Sequence, residues 1–131
     1  MGKAYLLDTN TVIYYLDAIL PTKALDFVEE NLDTNGSNLS IISKIELLGW
    51  QAPSVEAMEL VENFVNDSTI IPLMDVIAEK AIEIRRSRKI KLPDAVIAAT
   101  ALIGGYTLIS RNDDDFKGID GLEYLNPFND I

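Results

Sequence analysis

Short apolar runs alternate along this chain with stretches of helical periodicity, and several of the runs end abruptly at polar residues. The clearest run, at 4–7, ends at Asp8 and is followed by a new apolar pattern over 11–17. A run bounded in this way is typical of a strand buried on both faces and followed by a helix. We therefore predict a strand at 3–7 and a helix at 11–17. Asp8 then lies at the carboxyl end of a strand, where open parallel α/β sheets bind their ligands.

The same alternation continues along the rest of the chain. A polar loop is predicted at 33–38, and the run at 39–42 fits either a strand or the lead into a helix. Further strands are predicted at 69–73, 106–109 and 122–125, and further helices at 21–31, 43–52, 54–66, 75–89 and 92–105. Because strands alternate with helices, we predict an α/β fold with a mostly parallel sheet.

The predicted helix at 92–105 is apolar almost throughout. Pro93 fits its first turn, Gly104 and Gly105 fit its end, and Asp94 is its only acid. An acid at a helix N-terminus is electrostatically favourable wherever it lies. A helix buried on most sides, however, directs such an acid into the centre of the molecule or into a cleft. We therefore favour a functional role for Asp94.

Composition narrows the chemistry that these residues can support. The chain has 131 residues, which predicts a single domain over 1–131, and it contains neither Cys nor His. Disulfides, thiolate or imidazole zinc sites and Ser-His-Asp triads are therefore excluded. Catalysis would fall to carboxylates, Lys, Tyr, Ser or a bound metal. The sequence has no membrane-length apolar run and no signal peptide, so we expect a cytoplasmic protein that does not associate with membranes.

Acidic residues from four distant segments fall at comparable places in the predicted fold. Asp8 and the acids at 113–115 each follow an apolar strand, while Asp94 and Glu46 lie at the starts of helices. If the first and fourth strands are neighbours, these carboxylates converge. Without a cation, their convergence would raise their pKa values. Mg²⁺ or Mn²⁺ accepts such an all-oxygen ligand set and can activate water for phosphoryl displacement.

Each of these acids except Asp94 also has a purely structural interpretation, which local evidence favours for Asp8 and Glu46. Asp8 fits the N-cap of the helix that follows it. Ser43 and Glu46 match the S-x-x-E capping box, in which Glu46 would only bond a backbone amide. The acids at 113–115 fit a solvated surface turn. Local evidence leaves these alternatives open.

Basic residues are concentrated in one segment of an otherwise acidic chain. The net charge is −10, which argues against broad electrostatic attraction to nucleic acid, yet six of the eleven basic residues lie between Lys80 and Lys91. Basic side chains at the end of a helix stabilise its dipole. That interpretation and a ligand-facing role are about equally supported.

Four short motifs lie in order along nearly the whole chain. They are Leu7-Asp8-Thr9-Asn10, Ser43-Lys44-Ile45-Glu46-Leu47-Leu48-Gly49, Leu92-Pro93-Asp94-Ala95-Val96-Ile97-Ala98-Ala99-Thr100-Ala101, and a C-terminal group of Ser110-Arg111-Asn112, Asp115-Phe116, Gly121-Leu122-Glu123 and Asn126-Pro127. Each motif is weak alone. Together, in this order and spacing, they resemble the PIN-domain ribonucleases, in particular the VapC-type toxins of toxin–antitoxin pairs.

The resemblance implies a three-layer α/β/α fold with a five-stranded parallel sheet and a metal-dependent endoribonuclease activity. Its catalytic acids would be Asp8, Glu46, Asp94 and Asp115, with Asp113 as a rival for the fourth position. Mg²⁺ or Mn²⁺ would be held by Asp8, Asp94 and Asp115. Supporting polar roles fall to Thr9, Asn10, Ser110 and Asn112.

The resemblance also implies partners. These are an RNA substrate, a cognate antitoxin that blocks the site, and a second copy of the chain in a homodimer. Because the basic segment closely precedes Asp94, we expect it to contact RNA phosphates or antitoxin carboxylates. The residues in question are Arg85, Arg86, Arg88, Lys89 and Lys91.

Three alternative functions remain to be compared with the same features: a catalytically silent subunit, a nuclease that cuts DNA, and a phospho-receiver domain. A catalytically silent PIN-like subunit that binds RNA or protein would carry the same acids, and a DNA-cutting relative is equally compatible with them. A phospho-receiver domain needs adjacent acids after the first strand and a Lys after a late strand. Here one acid follows the first strand and Arg111 follows the late strand.

Overall fold

The computed structural model describes residues 4–131, so Lys3, which we predicted in the first strand, lies outside the described residues. Strands and helices alternate through most of the chain. In order they are β1 (Tyr5–Leu7), α1 (Thr9–Leu16), α2 (Thr22–Asn35), β2 (Asn38–Ser40), α3 (Ile41–Leu48), α4 (Val55–Asn66), β3 (Thr69–Ile71), α5 (Asp75–Ser87), α6 (Leu92–Gly104), β4 (Thr107–Ile109), α7 (Asp113–Phe116) and β5 (Tyr124–Leu125).

The five strands form one sheet in the order β3-β2-β1-β4-β5, and every neighbouring pair is parallel. Tyr5, Leu6 and Leu7 of β1 lie opposite Thr107, Leu108 and Ile109 of β4. The chain moves outwards from β1 in one direction through β2 and β3, and in the other direction through β4 and β5. The order therefore reverses between β1 and β4, which is where an open α/β sheet leaves a crevice at the carboxyl ends of its strands.

Helices cover both faces of the sheet, which gives the three layers that the sequence predicts. On one face, Leu6 and Leu108 pack with buried residues of α5 and α6. On the other face, Leu7 and Ile109 pack with buried residues of α1, α3 and α4, while the buried residues of α2 lie in a third, smaller cluster. The alternation of Leu6 and Leu7 between the two cores confirms that β1 is buried on both sides.

Helix α6 is the most deeply buried helix of the described chain, as its composition predicts. Every residue from 95 to 101 is buried. Pro93 lies in its first turn, and Gly105 ends the helix in the left-handed conformation, with φ 72°. This burial fixes the direction in which the first turn, and with it Asp94, faces the rest of the molecule. None of the helices within residues 4–131 is long and apolar enough to cross a membrane.

Two local predictions about the segment 31–46 are wrong. Helix α2 continues through part of the predicted polar loop to Asn35, where Asn35 Nδ2 donates to Asn31 Oδ1 at 3.1 Å. Helix α3 starts at Ile41 because Ser40, and not Ser43, is its N-cap, accepting from the Ile42 amide at 3.1 Å. Since Ser43 is buried inside α3, the capping-box interpretation of Glu46 fails.

Candidate active site

The candidate site lies at the carboxyl ends of β1 and β4, at the point where the strand order reverses. The Asp8 amide extends the parallel pairing by donating to the Ile109 carbonyl at 3.0 Å. Asp8 and Ser110, the residues that follow the two strands, are thereby brought side by side. The distance between their side chains is 2.8 Å, from Ser110 Oγ to Asp8 Oδ2.

Asp8 is both a helix cap and the most buried acid of the site. Its side chain accepts from the Thr9 amide at 2.9 Å, and only 8% of the residue is exposed. Burial raises the pKa of Asp8, while the hydrogen bonds from Ser110 and Thr9 oppose that shift. The negative charges of Glu46 and Asp115 raise the pKa further, to a smaller extent. The capping interpretation is therefore correct but incomplete, because other acids act on the same carboxylate.

Glu46 reaches the site from the middle of α3. Thr9 Oγ1 lies 2.6 Å from Glu46 Oε1 and 3.0 Å from Ser43 Oγ. Because Ser40 already caps α3, Glu46 is not needed at the helix start and lies beside the first turn of α1 instead. Because Thr9 directly follows Asp8 in the sequence, its contact with the Glu46 carboxylate holds that group close to Asp8.

Asp94 and Asp115 are in side-chain contact in the site. The pKa of Asp94 is raised to about 7, first by burial and then by hydrogen-bond contact with the Asp115 carboxyl group. The charges of Asp115, Asp8 and Glu46 add smaller contributions in the same direction. Because an ionised carboxylate has no hydrogen to donate, this contact favours the protonated form of Asp94. All four predicted catalytic acids thus lie within electrostatic reach of one another.

Asn112 fixes the position of Asp115. Its Nδ2 donates to Asp115 Oδ2 at 2.6 Å, and its Oδ1 accepts from the Asp115 amide as the N-cap of α7. The Asn112 amide in turn donates to Ser110 Oγ at 3.0 Å. The segment for which a solvated surface turn was the structural alternative is therefore a capped helical turn, and one of its three acids, Asp115, contacts Asp94.

Asp113, the rival for the fourth acid, faces another part of the molecule. Its Oδ1 lies 2.6 Å from the Tyr124 hydroxyl and accepts from Asn126 Nδ2 at 3.1 Å. These two hydrogen bonds lower the pKa of Asp113, whereas the pKa values of Asp8 and Asp94 are raised. Asp113 ties α7 to the C-terminal segment and does not join the four acids.

The donor set suits a hard divalent cation in its chemistry, since it consists of carboxylate oxygens that repel one another. As the side chains stand, no group of three His, Cys, Asp or Glu residues within 4–131 is close enough to hold a metal ion. Burial and then the neighbouring carboxyl groups raise the pKa of Asp94, and a bound cation would balance the negative charges of these acids.

The five basic residues of the predicted contact segment separate into three groups. Arg85, Lys89 and Lys91 line a cleft of about 430 Å³ that also contains Asp115. Arg88 instead donates to the backbone carbonyls of Asp114 and Lys117, which fixes it to the α7 loop. Arg86 lines an apolar groove between α5 and α6, which it shares with Arg85.

A second cleft, of about 340 Å³, is lined by Asp8, Asn10, Tyr14, Arg111 and Asn112. Three of these five were among the predicted site residues. Tyr14 and Arg111 were not, although Arg111 lies inside a predicted motif. The two clefts reach the acid cluster at different members, one at Asp8 and the other at Asp115.

The fold and this site define a PIN-type domain, and the chain belongs to the PIN domain family, whose profile matches residues 5–122. The chain is similar to a chain of a toxin–antitoxin complex from Klebsiella pneumoniae, with 29% identity and a TM-score of 0.73, covering 95% of this chain and 98% of the other. No curated protein sequence gives a significant match. The predicted resemblance to PIN domains is thereby confirmed.

Two more distant structures share the fold. A VapBC complex from Rickettsia felis bound to a promoter DNA fragment has a TM-score of 0.78 at 23% identity, covering 94% of this chain and 98% of that one. A DNA-bound VapBC complex from Salmonella typhimurium has a TM-score of 0.77 at 22% identity, covering 96% and 99%. The strand order also argues against the phospho-receiver alternative, since the flavodoxin-like sheet of receivers has the order 2-1-3-4-5.

Proposed function

We propose that this protein is a Mg²⁺- or Mn²⁺-dependent endoribonuclease of the VapC toxin type, acting in the cytoplasm. The observation that carries the proposal is the convergence of Asp8, Glu46, Asp94 and Asp115 on one crevice, where burial and then the neighbouring carboxyl groups raise the pKa of Asp94 to about 7. Maintaining four acids together costs stability in the absence of a ligand. A site that serves a cation and a phosphodiester explains that cost.

In this proposal Asp8, Asp94 and Asp115 would hold the metal ion, which would supply Lewis-acid stabilisation of the phosphate charge and activation of water. Glu46 accepts the proton of the attacking water as its oxygen bonds to phosphorus and the bond to the leaving ribose oxygen breaks. Thr9 positions the Glu46 carboxylate, and Asn112 positions that of Asp115. Asn10 and Ser110 complete the polar surroundings of Asp8.

Positive charge beside the acids supports a polyanionic substrate. Arg85, Lys89 and Lys91 line the cleft that contains Asp115, so phosphates of a bound strand would meet cations next to the site. Arg86 and Arg88 are assigned weaker roles. Arg88 is already bonded to backbone carbonyls, and Arg86 faces the apolar groove, where it suits a protein partner better than RNA.

The decisive experiment is cleavage of a folded-RNA pool by the purified protein in Mg²⁺ or Mn²⁺, compared with EDTA and with Asp94→Asn. We expect cleavage that requires both the ion and Asp94. Full activity of Asp94→Asn would overturn the site assignment. Metal binding without cleavage of RNA or single-stranded DNA would favour the catalytically silent module, and cleavage of DNA alone would favour a deoxyribonuclease.

The proposal includes two protein partners, an antitoxin and a second copy of the chain. Complexes of similar chains with antitoxins support the first. The second is supported by exposed apolar side chains beside the groove between α5 and α6, namely Leu73, Ile82 and Leu92, each at least 50% exposed. Light scattering of the purified protein tests the dimer. Growth arrest of a bacterial host on expression, absent with Asp94→Asn, tests the toxin assignment.

A further inference from the structure

Arg111 carries a positive charge at the mouth of the cleft beside Asp8. Its guanidinium carbon lies 4.0 Å from the centroid of the Phe128 ring and 5.6 Å from that of Tyr14. These two rings meet edge to face, with centroids 5.4 Å apart. Stacking of this kind holds a guanidinium in one plane while leaving its N–H donors at the edge, where they can bind another group.

The charge of Arg111 is not neutralised by the acids around it. Within residues 4–131 the only side-chain ion pair is Lys80–Glu83, and the guanidinium of Arg111 makes no hydrogen bond. The residue is exposed, although Asp8 lies in the same cleft. An arginine that is ordered by aromatic rings and left without an acidic partner is suited to an anionic ligand.

The C-terminal segment fixes the backbone on which Arg111 stands. The Tyr124 hydroxyl lies 2.8 Å from the Ser110 carbonyl oxygen, and Asn126 Nδ2 donates to the Arg111 carbonyl at 3.4 Å. Asn126 Oδ1 accepts from the Phe128 amide at 2.9 Å, which fixes the start of the segment that carries the ring. The position of the guanidinium is therefore determined by contacts on both sides.

The other groups in this cleft are also suited to a nucleic acid strand. Tyr14 offers an aromatic ring, and the exposed side chain of Asn10 makes no hydrogen bond within the described residues. Single-stranded nucleic acids bind where cations meet phosphates and aromatic or amide groups meet bases. The side-chain amide of Asn112 already donates to Asp115. Among the residues that line this cleft, Arg111 is the one that carries a positive charge.

We propose that Arg111, held against Phe128, binds a phosphate of the single-stranded RNA in the cleft beside Asp8. This inference rests on the proposed function, since it names how that substrate is held. A strand bound by Arg111 in this cleft and by Lys89 and Lys91 in the cleft beside Asp115 passes over the four acids. Arg111 is thus a substrate-binding residue that fixes which phosphodiester lies at the acid cluster.

The test is binding of a fluorescently labelled, short single-stranded RNA of mixed sequence, followed by anisotropy in EDTA so that cleavage does not interfere. We expect Arg111→Gln to weaken binding about tenfold, because a charge-assisted contact to phosphate is lost. The slope of log Kd against log salt should become shallower by about 0.7, the value for one phosphate contact on a single strand. Arg111→Lys keeps the charge and should keep the slope while binding more weakly.

Two further variants separate this role from a structural one. Lys23→Gln removes the same charge from an exposed position on α2 that lines neither cleft, and should leave affinity and slope unchanged. Phe128→Leu releases the guanidinium from its ring and should lower affinity without changing the slope. Thermal unfolding of each variant establishes that the protein tested is folded.

The inference is overturned if folded Arg111→Gln binds RNA with the affinity and salt slope of the unaltered protein, or if the unaltered protein binds no single-stranded RNA. The first result, obtained with a protein that cleaves RNA, leaves the proposed nuclease intact. Conversely, a protein that cleaves nothing but loses affinity on Arg111→Gln would refute the nuclease and retain the phosphate site.

Discussion

The Ser110 hydroxyl donates a hydrogen bond of 2.8 Å to the Asp8 carboxylate across 102 positions of sequence. The same hydroxyl oxygen accepts a hydrogen bond of 3.0 Å from the backbone amide of Asn112, and the Asn112 side chain donates to Asp115. A single serine at the end of β4 therefore joins the acid at the end of β1 to the acid in α7. Because it lowers a pKa that burial raises, it also favours the ionised form of Asp8.

We predict that Ser110→Ala destabilises the protein by about 1–3 kcal/mol, since it leaves a buried carboxylate without one of its two hydrogen bonds. The pKa of Asp8 should rise further, so the acidic limb of the pH–activity profile should move to higher pH. Urea denaturation and the pH dependence of kcat/KM measure the two effects.

Ser37→Ala is a matched control for that substitution. Ser37 is also buried, but its hydroxyl makes no hydrogen bond within the described residues. Its removal should cost little and should leave the pH profile in place. Equal losses of stability in the two variants would contradict the role given to Ser110.

The neighbouring acids of α7 should differ sharply in function. Asp115 contacts Asp94, whereas Asp113 contacts Tyr124 and Asn126. We predict that Asp115→Asn lowers kcat/KM by more than the roughly 10–100-fold typical of losing an outer-shell partner of a metal ligand. Asp113→Asn should retain most of the activity and lose some thermal stability.

Both variants remove one negative charge from the same short helix, so each serves as the control for the other. Cleavage assays and thermal melts on the pair are sufficient to separate them. A greater loss of activity in Asp113→Asn would show that Asp113 is the fourth acid and that Asp115 has only a structural role.

The parts of this site that sequence predicts are those with strong local signals. Asp8 directly follows a buried strand, and Asp94 opens a helix whose interior is apolar at nearly every position. Burial on all sides leaves such elements little freedom, so the place of their terminal acids follows from the pattern. The motifs that resemble PIN domains supplied the catalytic roles of Asp8, Glu46 and Asp115, for which the local patterns left structural alternatives open.

The remaining features depend on contacts that a local pattern does not encode. Ser40 and Ser43 are both suitable helix caps, and the pairing of β2 with β1 and β3 determines that Ser40 is used. In α7 three successive aspartates differ only in their direction around one helical turn. Arg111 contacts Phe128 because the C-terminal segment passes back beside the end of β4. The local sequence around either residue does not predict that contact.

The stability of the metal-free protein should fall as the pH rises. The pKa of Asp94 is raised from an ordinary value of 3.8 to about 7 in the folded state, so the folded protein retains a proton that the unfolded chain has lost. The stabilisation is complete below pH 3.8 and is lost as the pH passes through about 7. Asp8, whose pKa is also raised, acts in the same direction.

The measurement is urea denaturation in EDTA at pH 5 and pH 8, on the unaltered protein and on Asp94→Asn. The unaltered protein should lose more stability between the two values than the variant does, since the variant cannot ionise at position 94. If the difference in stability between the two proteins does not change with pH, the raised pKa has been wrongly assigned to Asp94.

Metal ions should reverse this loss at pH 8, where the acids are ionised. An ion that binds the folded protein alone stabilises it by about 1.4 kcal/mol when its free concentration is about ten times its Kd. We expect Mg²⁺ and Mn²⁺ to raise the Tm of the unaltered protein and to have much less effect on Asp94→Asn.

Asp114→Asn controls for net charge, because Asp114 is exposed and offers only its backbone carbonyl to Arg88. Its Tm should rise with metal as that of the unaltered protein does. A similar rise in Asp94→Asn would place the ion elsewhere, because binding at the acid cluster requires the charge that this variant lacks.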